Sequence, residues 1–293
     1  MIVNNMTRKQ KMMGTKPSPI SGNTASTKPV RKQAARAPEA PSPLEPWHGE
    51  RTLSGDATAA LLPLSLPEQI ADRVCERIMR GDFPAGQRIQ EQMLSASFRV
   101  SRGPVREALL LLERDGLIRI EPRRGASVRR LSADEVGDLF AIRAALLGLA
   151  ARLFVERADA ADLQSLSAGI ARMAAHAPPA GDADSYARWS YALSLFMAEK
   201  ADNPHLYRML HSIARQTYSY SRLALSDPAR RQDSISRWRK TLARARRRDA
   251  QGVETLTRSL IDATRKAAAA ALEAGELPEP TATALEAAAR ARR

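Results

Sequence analysis

The chain has 293 residues, which is enough for two ordinary domains or one large one. Its net charge of +14 favours a polyanionic partner, nucleic acid or less often an anionic membrane surface. A single cysteine excludes an intramolecular disulfide and fits a reducing cytoplasm. No apolar run approaches the length of about 20 residues that spans a bilayer, so we expect a cytoplasmic protein without a membrane partner. The low aromatic content, 4%, and the abundance of Ala and Leu favour helices.

Residues 1–63 differ in composition from the rest of the chain. They contain eight of the 18 prolines, and eight basic residues but no acidic one precede position 37. They show no apolar periodicity, so they cannot bury enough apolar surface to fold. We predict a disordered, basic, proline-rich arm. Alternatively, translation begins at Met6, Met12 or Met13 and part of the arm is absent.

Residues 64–131 show the pattern of three helices and a β-hairpin. An apolar stripe with a spacing of four residues predicts the first helix: Ile70, Val74 and Ile78. The stretch "GQRIQEQMLSASFRV" predicts a second, short helix with three inward residues: Ile89, Met93 and Leu94. The stretches "LIRI" and "ASV" predict two strands, and "EPRRG" predicts the turn between them.

The third helix is predicted from the stretch that begins "VSRGPVREA". Ser101 suits the N-cap, and Pro104 falls in the first turn, where its missing N–H has no intrahelical partner to lose. Four residues form the buried stripe: Val105, Ala108, Leu109 and Leu112. Arg102 and Arg106 lie together on the opposite face, and Gly116 is predicted to end the helix as a C-cap.

Two adjacent helices followed by a basic hairpin form a winged helix-turn-helix. The N-terminal end of the second helix of such a pair enters the major groove of DNA, where arginine donates two hydrogen bonds to guanine. We therefore predict that Arg102 and Arg106 face double-stranded DNA. Arg123 and Arg124 at the wing tip suit a narrow minor groove, and Gly125 allows close backbone approach. The alternative is a solvated basic surface on an ordinary helical domain.

Residues 132–272 show only helical patterns. Ser132 and Glu135 have the spacing of a capping box, which predicts a helix start. Breaks are predicted at residues 202–204 and near residues 248–249. Five to seven helices would form an antiparallel bundle, followed by a frayed tail over residues 273–293. The predicted fold class is therefore mainly α, with an N-terminal winged helix-turn-helix and an all-α bundle.

The stretch "FPAGQRIQEQMLSASFRVSRGPVREALLLLERDGLIRIEPRRGASV" resembles the GntR-type winged-helix regulators. The layout from residue 132 onward resembles the helical effector domain of the FadR/FCD branch of that family. The resemblance implies a homodimeric, ligand-responsive transcription factor on a short palindromic operator. It also implies that Arg102 and Arg106 read bases or phosphates, that Ser101 caps the helix and contacts the DNA backbone, and that Gly125 enters the minor groove.

Two positions in the winged-helix domain depart from the family pattern. Gly103 stands where a Thr is common, so one hydroxyl directed at phosphate is missing. Gln92 stands where an Arg is frequent, so one backbone charge is missing, although Gln still donates a hydrogen bond to phosphate. We expect DNA binding to survive with a weaker salt dependence.

The resemblance also implies a metal site that this chain cannot form. Many relatives hold a divalent metal with one Asp and three His, and the matching positions here are Ser190, Ser194, Trp238 and Leu260. None of these is a good metal ligand at neutral pH. His205 and His211 are six residues apart and do not face one site on a helix. We expect no metal and no other cofactor.

An effector would then need another anchor. Arg143 stands where the family often has a pocket arginine, with Leu147 where a Glu is usual. Arg143 either faces a cavity or lies on the helix surface. Four residues are expected to add apolar volume there, which favours an apolar or aromatic effector: Trp189, Tyr191, Trp238 and Leu260. The alternative is a collapsed core without a ligand.

A basic segment, "SRWRKTLARARRRDA", contains seven cations: Arg237, Arg239, Lys240, Arg244, Arg246, Arg247 and Arg248. We interpret it as a solvated helix end, with a second DNA-facing or acyl-CoA phosphate surface as the alternative. No P-loop, GxSxG, HExxH or Rossmann motif is present, so we expect no enzyme activity. The sequence favours a homodimeric repressor controlled by a small organic acid or acyl-CoA. The alternative is a constitutive regulator whose helical domain only dimerises.

Overall fold

A computed structural model of the chain describes residues 64–278. The predicted arm, residues 1–63, lies outside this range, as do residues 279–293 of the predicted tail. No helix in the described range is long and apolar enough to cross a membrane. The elements in chain order are α1 (Leu66–Arg80), β1 (Arg88–Ile89), α2 (Glu91–Phe98), α3 (Arg102–Arg114), β2 (Ile118–Glu121), β3 (Gly125–Val128), α4 (Ala133–Arg157), α5 (Ala160–Ala174), α6 (Ala183–Lys200), α7 (Pro204–Gln216), α8 (Tyr218–Ala224), α9 (Pro228–Arg246) and α10 (Ala250–Glu273).

The first three helices and the sheet form a winged helix-turn-helix, and the predicted fold class is confirmed. Helix α1 begins with a capping box between Ser65 and Glu68 and ends at Gly81, whose φ of 81° is the left-handed conformation that glycine adopts without strain. Its predicted apolar stripe is buried and packs against α3. Helix α3 therefore turns its apolar side inward and its arginine side outward.

The sheet has three strands rather than the predicted two, in the order β1-β3-β2. Both pairings are antiparallel, and Ile89 pairs with Ala126 while Ile120 pairs with the same residue from the other side. Ile89 was predicted to be on the second helix, which is wrong: it is a strand residue and 3% exposed. A strand of two residues is too short to show an alternating pattern, so the sequence signal was absent.

The ends of α3 differ in detail from the prediction. Ser101 occupies the N-cap position, but its side chain accepts no capping hydrogen bond from the helix. Pro104 lies in the first turn, as predicted. At the other end the C-cap is Asp115, and Gly116 follows it with a φ of 73°. The hydroxyl of Ser101 is thus exposed and is not used by the helix start.

The helical domain contains seven of the described helices, α4 to α10. The capping box of Ser132 and Glu135 starts α4, and the long α10 packs along α4 through the centre of the bundle. The break near residues 248–249 is confirmed. The predicted break at residues 202–204 is also confirmed, because α6 ends at Lys200 and α7 begins at Pro204. The break between α7 and α8 was missed, because Thr217 separates these helices without Gly or Pro. Helix α10 reaches Glu273, the first residue of the predicted tail.

A short connection joins the two domains. Residues 129–132 lie between β3 and α4. Within it Leu131 is buried, and its backbone N–H donates a hydrogen bond of 2.9 Å to the hydroxyl of Tyr220 on α8. The linker is therefore fixed to the helical domain at its midpoint.

Candidate nucleic-acid interface and ligand cavity

The N-terminal end of α3 presents an exposed basic surface. Ser101, Arg102, Gly103 and Arg106 are all exposed. Arg102 makes no hydrogen bond or ion pair with any residue in the range 64–278. The Nε atom of Arg106 donates to Glu91 Oε2 at 2.9 Å, and the Arg106 side chain is still 64% exposed. Both arginines therefore extend from one helix end towards solvent, together with the partial positive charge of that end.

The wing forms a second exposed basic surface. The N–H of Arg124 donates to the carbonyl of Glu121 at 3.1 Å, which closes the turn between β2 and β3. Arg123 has a φ of 62°, a left-handed conformation that side-chain-bearing residues adopt at a cost. Gly125 has a φ of 81° and open space around its Cα, so backbone can approach it closely. The turn thus holds two arginines at its tip.

The two positions that depart from the family pattern are both accessible. Gln92 is exposed on α2, one residue after Glu91. A Cβ built on Gly103 meets no atom within 4 Å, so the missing side chain is not excluded by packing. The pairing of Glu91 with Arg106 was missed at the sequence level, because the two residues are 15 positions apart and lie on different helices.

Arg143 on α4 is buried in the helical domain, with 4% of its surface exposed. One of its terminal nitrogens donates to Thr217 Oγ1 at 3.1 Å and to Ser221 Oγ at 2.8 Å. Its Nε atom has no hydrogen-bond partner among the described residues. Desolvation lowers the pKa of Arg143 to about 10, which leaves the side chain charged at neutral pH. This burial excludes the alternative that Arg143 lies on the helix surface.

Four arginines of the described helical domain are buried, and Arg143 differs from the other three. Arg222 pairs with a carboxylate of Asp184, and Arg230 pairs with Asp233. Arg231 donates to three backbone carbonyls. Within the described range the hydrogen-bond partners of Arg143 are two hydroxyls, and its guanidinium carbon lies 5.8 Å from the centre of the Phe140 ring. Neither a hydroxyl nor an aromatic ring carries a negative charge. A buried cation without an anion is costly, so the site is chemically suited to an anionic group.

Arg143 lines a small cavity between α4, α6, α8 and α10. The cavity volume is about 10 Å³, which is the scale of one water molecule. The lining residues are Arg143, Ala187, Ser190, Tyr191, Tyr218, Ser221, Leu225, Leu260, Ile261 and Thr264. Of the residues predicted to add apolar volume there, Tyr191 and Leu260 line the cavity. Trp189 and Trp238 do not: Trp189 contacts Arg172 elsewhere, and Trp238 is packed in the core, as is Leu147.

The residues at the family's metal positions do not fit a divalent metal. Ser190 and Leu260 lie at the cavity, and the Ser194 hydroxyl donates to the carbonyl of Ser190 at 2.8 Å. None of these groups supplies an anionic or imidazole ligand. His205 contacts Arg208, and His211 stacks on the ring of Tyr207. Within the range 64–278 no three candidate ligands come together.

The basic segment at the end of α9 is partly used in packing. Arg237 pairs with Asp233, and Arg244 pairs with Asp249. Arg248 donates to the carbonyls of Val155 and Ala158, which ties the segment to the end of α4. Three cations of the segment are exposed, and their side chains make no hydrogen bond or ion pair with a described residue: Arg239, Lys240 and Arg247. Much of the charge in this segment therefore stabilises the bundle.

Two family models match the two domains in chain order. The model of bacterial regulatory proteins of the gntR family matches residues 66–128, and the FCD domain model matches residues 138–263. The chain belongs to the GntR family. The FCD domain places this GntR protein in the FadR/FCD-type branch, so the resemblance found from the sequence is confirmed.

Similar proteins support the assignment. An uncharacterised HTH-type transcriptional regulator, YdhC of Bacillus subtilis, is 41% identical over 98 residues, which is 33% of this chain and 44% of that protein. The chain therefore aligns with less than half the length of this relative. A probable D-xylose utilization operon transcriptional repressor of Paenarthrobacter nicotinovorans is 26% identical over 59% of this chain and 76% of its own. The solved structure of Escherichia coli McbR/YncC has a TM-score of 0.60 at 20% identity, covering 68% of this chain and 95% of the other, which shows the shared fold.

Proposed function

We propose that this GntR-family protein is a sequence-specific DNA-binding transcriptional regulator. The observation that carries the proposal is the pair of exposed arginines, Arg102 and Arg106, at the N-terminal end of α3. Arg106 is held by Glu91 in the free protein and exchanges this partner for a base edge or a phosphate on binding. Arg123 and Arg124 add contacts to the neighbouring minor groove. Gln92, Ser101 and Gly103 are also exposed, and we propose that they contact the DNA backbone.

DNA titrations test this proposal. The full chain selects its operator from a random DNA pool, and binding is then measured by fluorescence anisotropy at fixed salt. Arg102→Ala and Arg106→Ala are each expected to weaken operator binding by about 1–3 kcal/mol per half-site and to reduce the preference over random DNA. Arg239→Ala, an exposed arginine of the helical domain, is the control. If both groove variants keep the full preference, the assignment to the major groove is wrong.

We propose that the regulator is a homodimer on a palindromic operator. One winged helix contacts few base pairs, so strong specificity requires two copies whose spacing matches two half-sites. Light scattering of the full chain at micromolar concentration is expected to give twice the monomer mass of 32.1 kDa. A monomeric mass with operator binding intact would contradict the dimer.

We propose a monocarboxylate with an apolar or aromatic body as the effector. This proposal is supported by the buried charge of Arg143, which has hydroxyl partners and a free Nε atom but no carboxylate. A thermal-shift screen of aromatic acids, fatty acyl-CoAs and sugar acids tests it, with Arg143→Met as the matched variant. A shift with aromatic acids that is lost in Arg143→Met is expected.

One observation favours a second candidate, a constitutive regulator whose helical domain only dimerises. The cavity of about 10 Å³ does not hold an organic acid in the conformation described. A screen without any thermal shift, together with operator binding that no acid changes, would support this second function.

A further inference from the structure

The C-terminal half of α9 carries a row of exposed cations that the packing of the bundle does not use. Residues 236, 239, 240, 243, 246 and 247 recur at spacings of three and four, so they share one face of the helix end, and all are exposed. Four of them form what we call the distal basic surface: Arg239, Lys240, Arg246 and Arg247. Arg246 donates to the uncharged hydroxyl of Ser167 at 3.0 Å, and the other three side chains make no hydrogen bond or ion pair with a described residue. The remaining two positions are Ser236 and Ala243, which are small and let a broad partner approach the helix.

The carboxylates of the neighbouring helices already have cationic partners. Helix α5 packs on one side of α9, and its single acidic residue, Asp162, pairs with Lys200 at 2.9 Å. Helix α10 packs on the other side, where Glu254 pairs with two arginines. Asp249, between α9 and α10, pairs with Arg244, and α9 itself has no acidic residue after position 233. The charge of the distal basic surface is therefore not neutralised by these helices, which leaves it available to an external anion.

The distal basic surface lies at the end of the bundle that is remote from the winged-helix domain. Helix α4 begins at the linker and has 25 residues, which gives it a length of about 37 Å. Arg248, the residue next to the surface, donates to the carbonyls of Val155 and Ala158 at the far end of α4. An operator fragment of about 20 base pairs is much shorter than the persistence length of DNA, about 150 base pairs, so it does not bend back from the winged-helix domain to this surface. Arg239 therefore does not contribute to the binding of a single short operator, and a partner of the surface is a separate molecule or a distant segment of the same DNA.

The residue types of the surface fit a phosphate backbone better than a membrane or a protein. Membrane-bound helices and protein interfaces depend on apolar anchors. The large apolar residues exposed in the described range are Leu66, Leu110, Ile142, Met209 and Leu277. None of these lies on α5, α9 or α10. Duplex DNA presents one charge per about 1.7 Å of its axis and is bound through cations without apolar anchors. Arg239 and Arg246 are seven residues apart, which is about 10 Å along the helix and matches the rise of about three base pairs, and Lys240 and Arg247 have the same separation.

We propose that the distal basic surface binds the phosphate backbone of a second DNA duplex, so that one regulator holds two DNA segments together. The first segment is the operator bound by the winged-helix domain, and this part of the inference rests on the proposed function. The second contact is electrostatic and independent of base sequence, because it uses cations on the side of a helix and no element that enters a groove. Two sites far apart on one DNA molecule are thereby joined in a loop.

The first experiment measures whether the full chain joins two duplexes. Short operator duplexes on beads are saturated with the protein, and the retention of a longer, fluorescent random duplex is then measured at low salt. The surface variant replaces three exposed cations: Arg239→Gln, Lys240→Gln and Arg247→Gln. The control variant removes the same charge from exposed positions on three other helices: Arg188→Gln, Arg208→Gln and Lys266→Gln. The surface variant is expected to bind the operator as the unchanged protein does and to lose at least tenfold in retention of the second duplex, whereas the control variant is expected to keep both.

The outcomes of this experiment separate the surface from other routes to a second duplex. The winged-helix domain and residues 1–63 are the same in all three proteins, so they cannot produce a difference between them. The affinity for the second duplex should also depend less steeply on salt in the surface variant, with a slope of log affinity against log salt that is smaller by about 3. Equal retention by the surface variant and the unchanged protein, or no retention by either, would overturn the proposal. An equal loss in the control variant would show an effect of net charge alone and would overturn it as well.

The second experiment needs no operator and therefore separates this inference from the proposed function. The full chain with Arg102→Ala and Arg106→Ala is titrated with a random duplex, and the surface or the control substitutions are then added to it. The surface substitutions are expected to weaken binding at least fivefold, and the control substitutions are expected to leave it unchanged. This difference, found in a protein that selects no operator, would support the surface while the groove assignment fails. An operator that is selected without this difference would leave the groove assignment standing and overturn the surface.

A competition identifies the class of polyanion. Unlabelled random DNA and polyglutamate are each added to the captured second duplex at the same concentration of negative charge. DNA is expected to displace the duplex at a concentration at least tenfold lower, because its phosphates have a fixed spacing on a stiff duplex. Equal displacement by polyglutamate would assign the surface to an acidic protein and overturn the assignment to DNA.

Discussion

The two domains use arginine in opposite ways. Within residues 64–131 no arginine is buried, and those of the third helix and the wing extend into solvent. In the described helical domain four arginines are buried, and three of them pair with carboxylates or backbone carbonyls. An exposed guanidinium costs the fold almost nothing and is available to a large polyanion. A buried one must be compensated inside the protein or by a small ligand, and Arg143 is the case in which internal compensation is incomplete.

The comparison teaches where mutations should act on stability and where on binding. Removing an exposed arginine of α3 should leave folding unchanged and weaken DNA binding. Removing a buried arginine should change the free energy of unfolding, with a sign that depends on its partners. The following predictions test this division, from the largest expected effect to the smallest.

The largest effect concerns the single titratable side chain that the described winged-helix domain buries, the thiol of Cys75. Its pKa is raised from 9.0 to about 11 in the folded protein by burial. The buried neutral thiol therefore makes its full contribution to the free energy of unfolding below pH 9. This contribution is lost as the pH rises through 11, because the thiol of the unfolded chain ionises first. The free energy of unfolding should fall by up to about 3 kcal/mol over this window. In urea melts across the same pH range, the free energy of unfolding of Cys75→Ala should not show this fall. The same pH dependence in Cys75→Ala and in the unchanged protein would contradict the prediction.

Arg143→Met should stabilise the fold by about 1–3 kcal/mol, because it removes a desolvated charge that has no anionic partner. The hydroxyls of Thr217 and Ser221 keep backbone carbonyl partners and are not orphaned. The matched control is Arg231→Met, which leaves three carbonyls without their donor and should destabilise. Thermal and urea melts measure both. A loss of stability in Arg143→Met of the size seen in Arg231→Met would remove the distinction between them.

Arg123→Gly should stabilise the wing by about 1 kcal/mol, because glycine adopts the φ of 62° without strain. The same change should weaken operator binding, since a cation is lost from the minor groove. Arg124→Gly is the control, because Arg124 is not in the left-handed region and should lose binding without gaining stability. Equal melting temperatures for the two variants would show that the strain at Arg123 is negligible.

Gly103→Thr should have the smallest effect, a gain in operator binding of about 1 kcal/mol or less from one hydrogen bond to phosphate. The space around Gly103 accommodates the side chain. Gly103→Val has the same shape without the hydroxyl and serves as the control in the anisotropy titration. If both variants bind equally, no phosphate lies within reach of this position.

The winged-helix domain was predictable because its signals are local. The stripe of α3, the proline in its first turn and the wing turn all follow from the identity of neighbouring residues. The features that were not predicted depend on contacts between residues that are far apart in the chain. Strand β1 exists only because Arg88 and Ile89 pair with β3, and the Ser101 side chain was expected to cap a helix that does not use it. Neither outcome has a local sequence signal.

The cavity was less predictable than the DNA-facing surface. The family resemblance left Arg143 either at a cavity or on the helix surface. Its partners, Thr217 between α7 and α8 and Ser221 on α8, lie more than 70 residues away. Trp189 and Trp238 were expected at the cavity, Trp238 from its match to a family metal position, but neither lines it. Arg215, which pairs with Asp72 on α1 and Asp115 at the end of α3, gave no signal at all, since an arginine near a helix end is common and its partners lie 100 or more residues earlier.

The four-residue linker between β3 and α4 limits how far the winged-helix domain can travel. Fully extended, four residues span about 14 Å. This distance corresponds to about four base pairs along a DNA strand, at about 3.4 Å each. Because the N–H of Leu131 is also held by Tyr220, the usable length is shorter still. Each DNA-binding domain can therefore move only a short distance from its attachment to the helical domain. It cannot search distant DNA while it remains tethered.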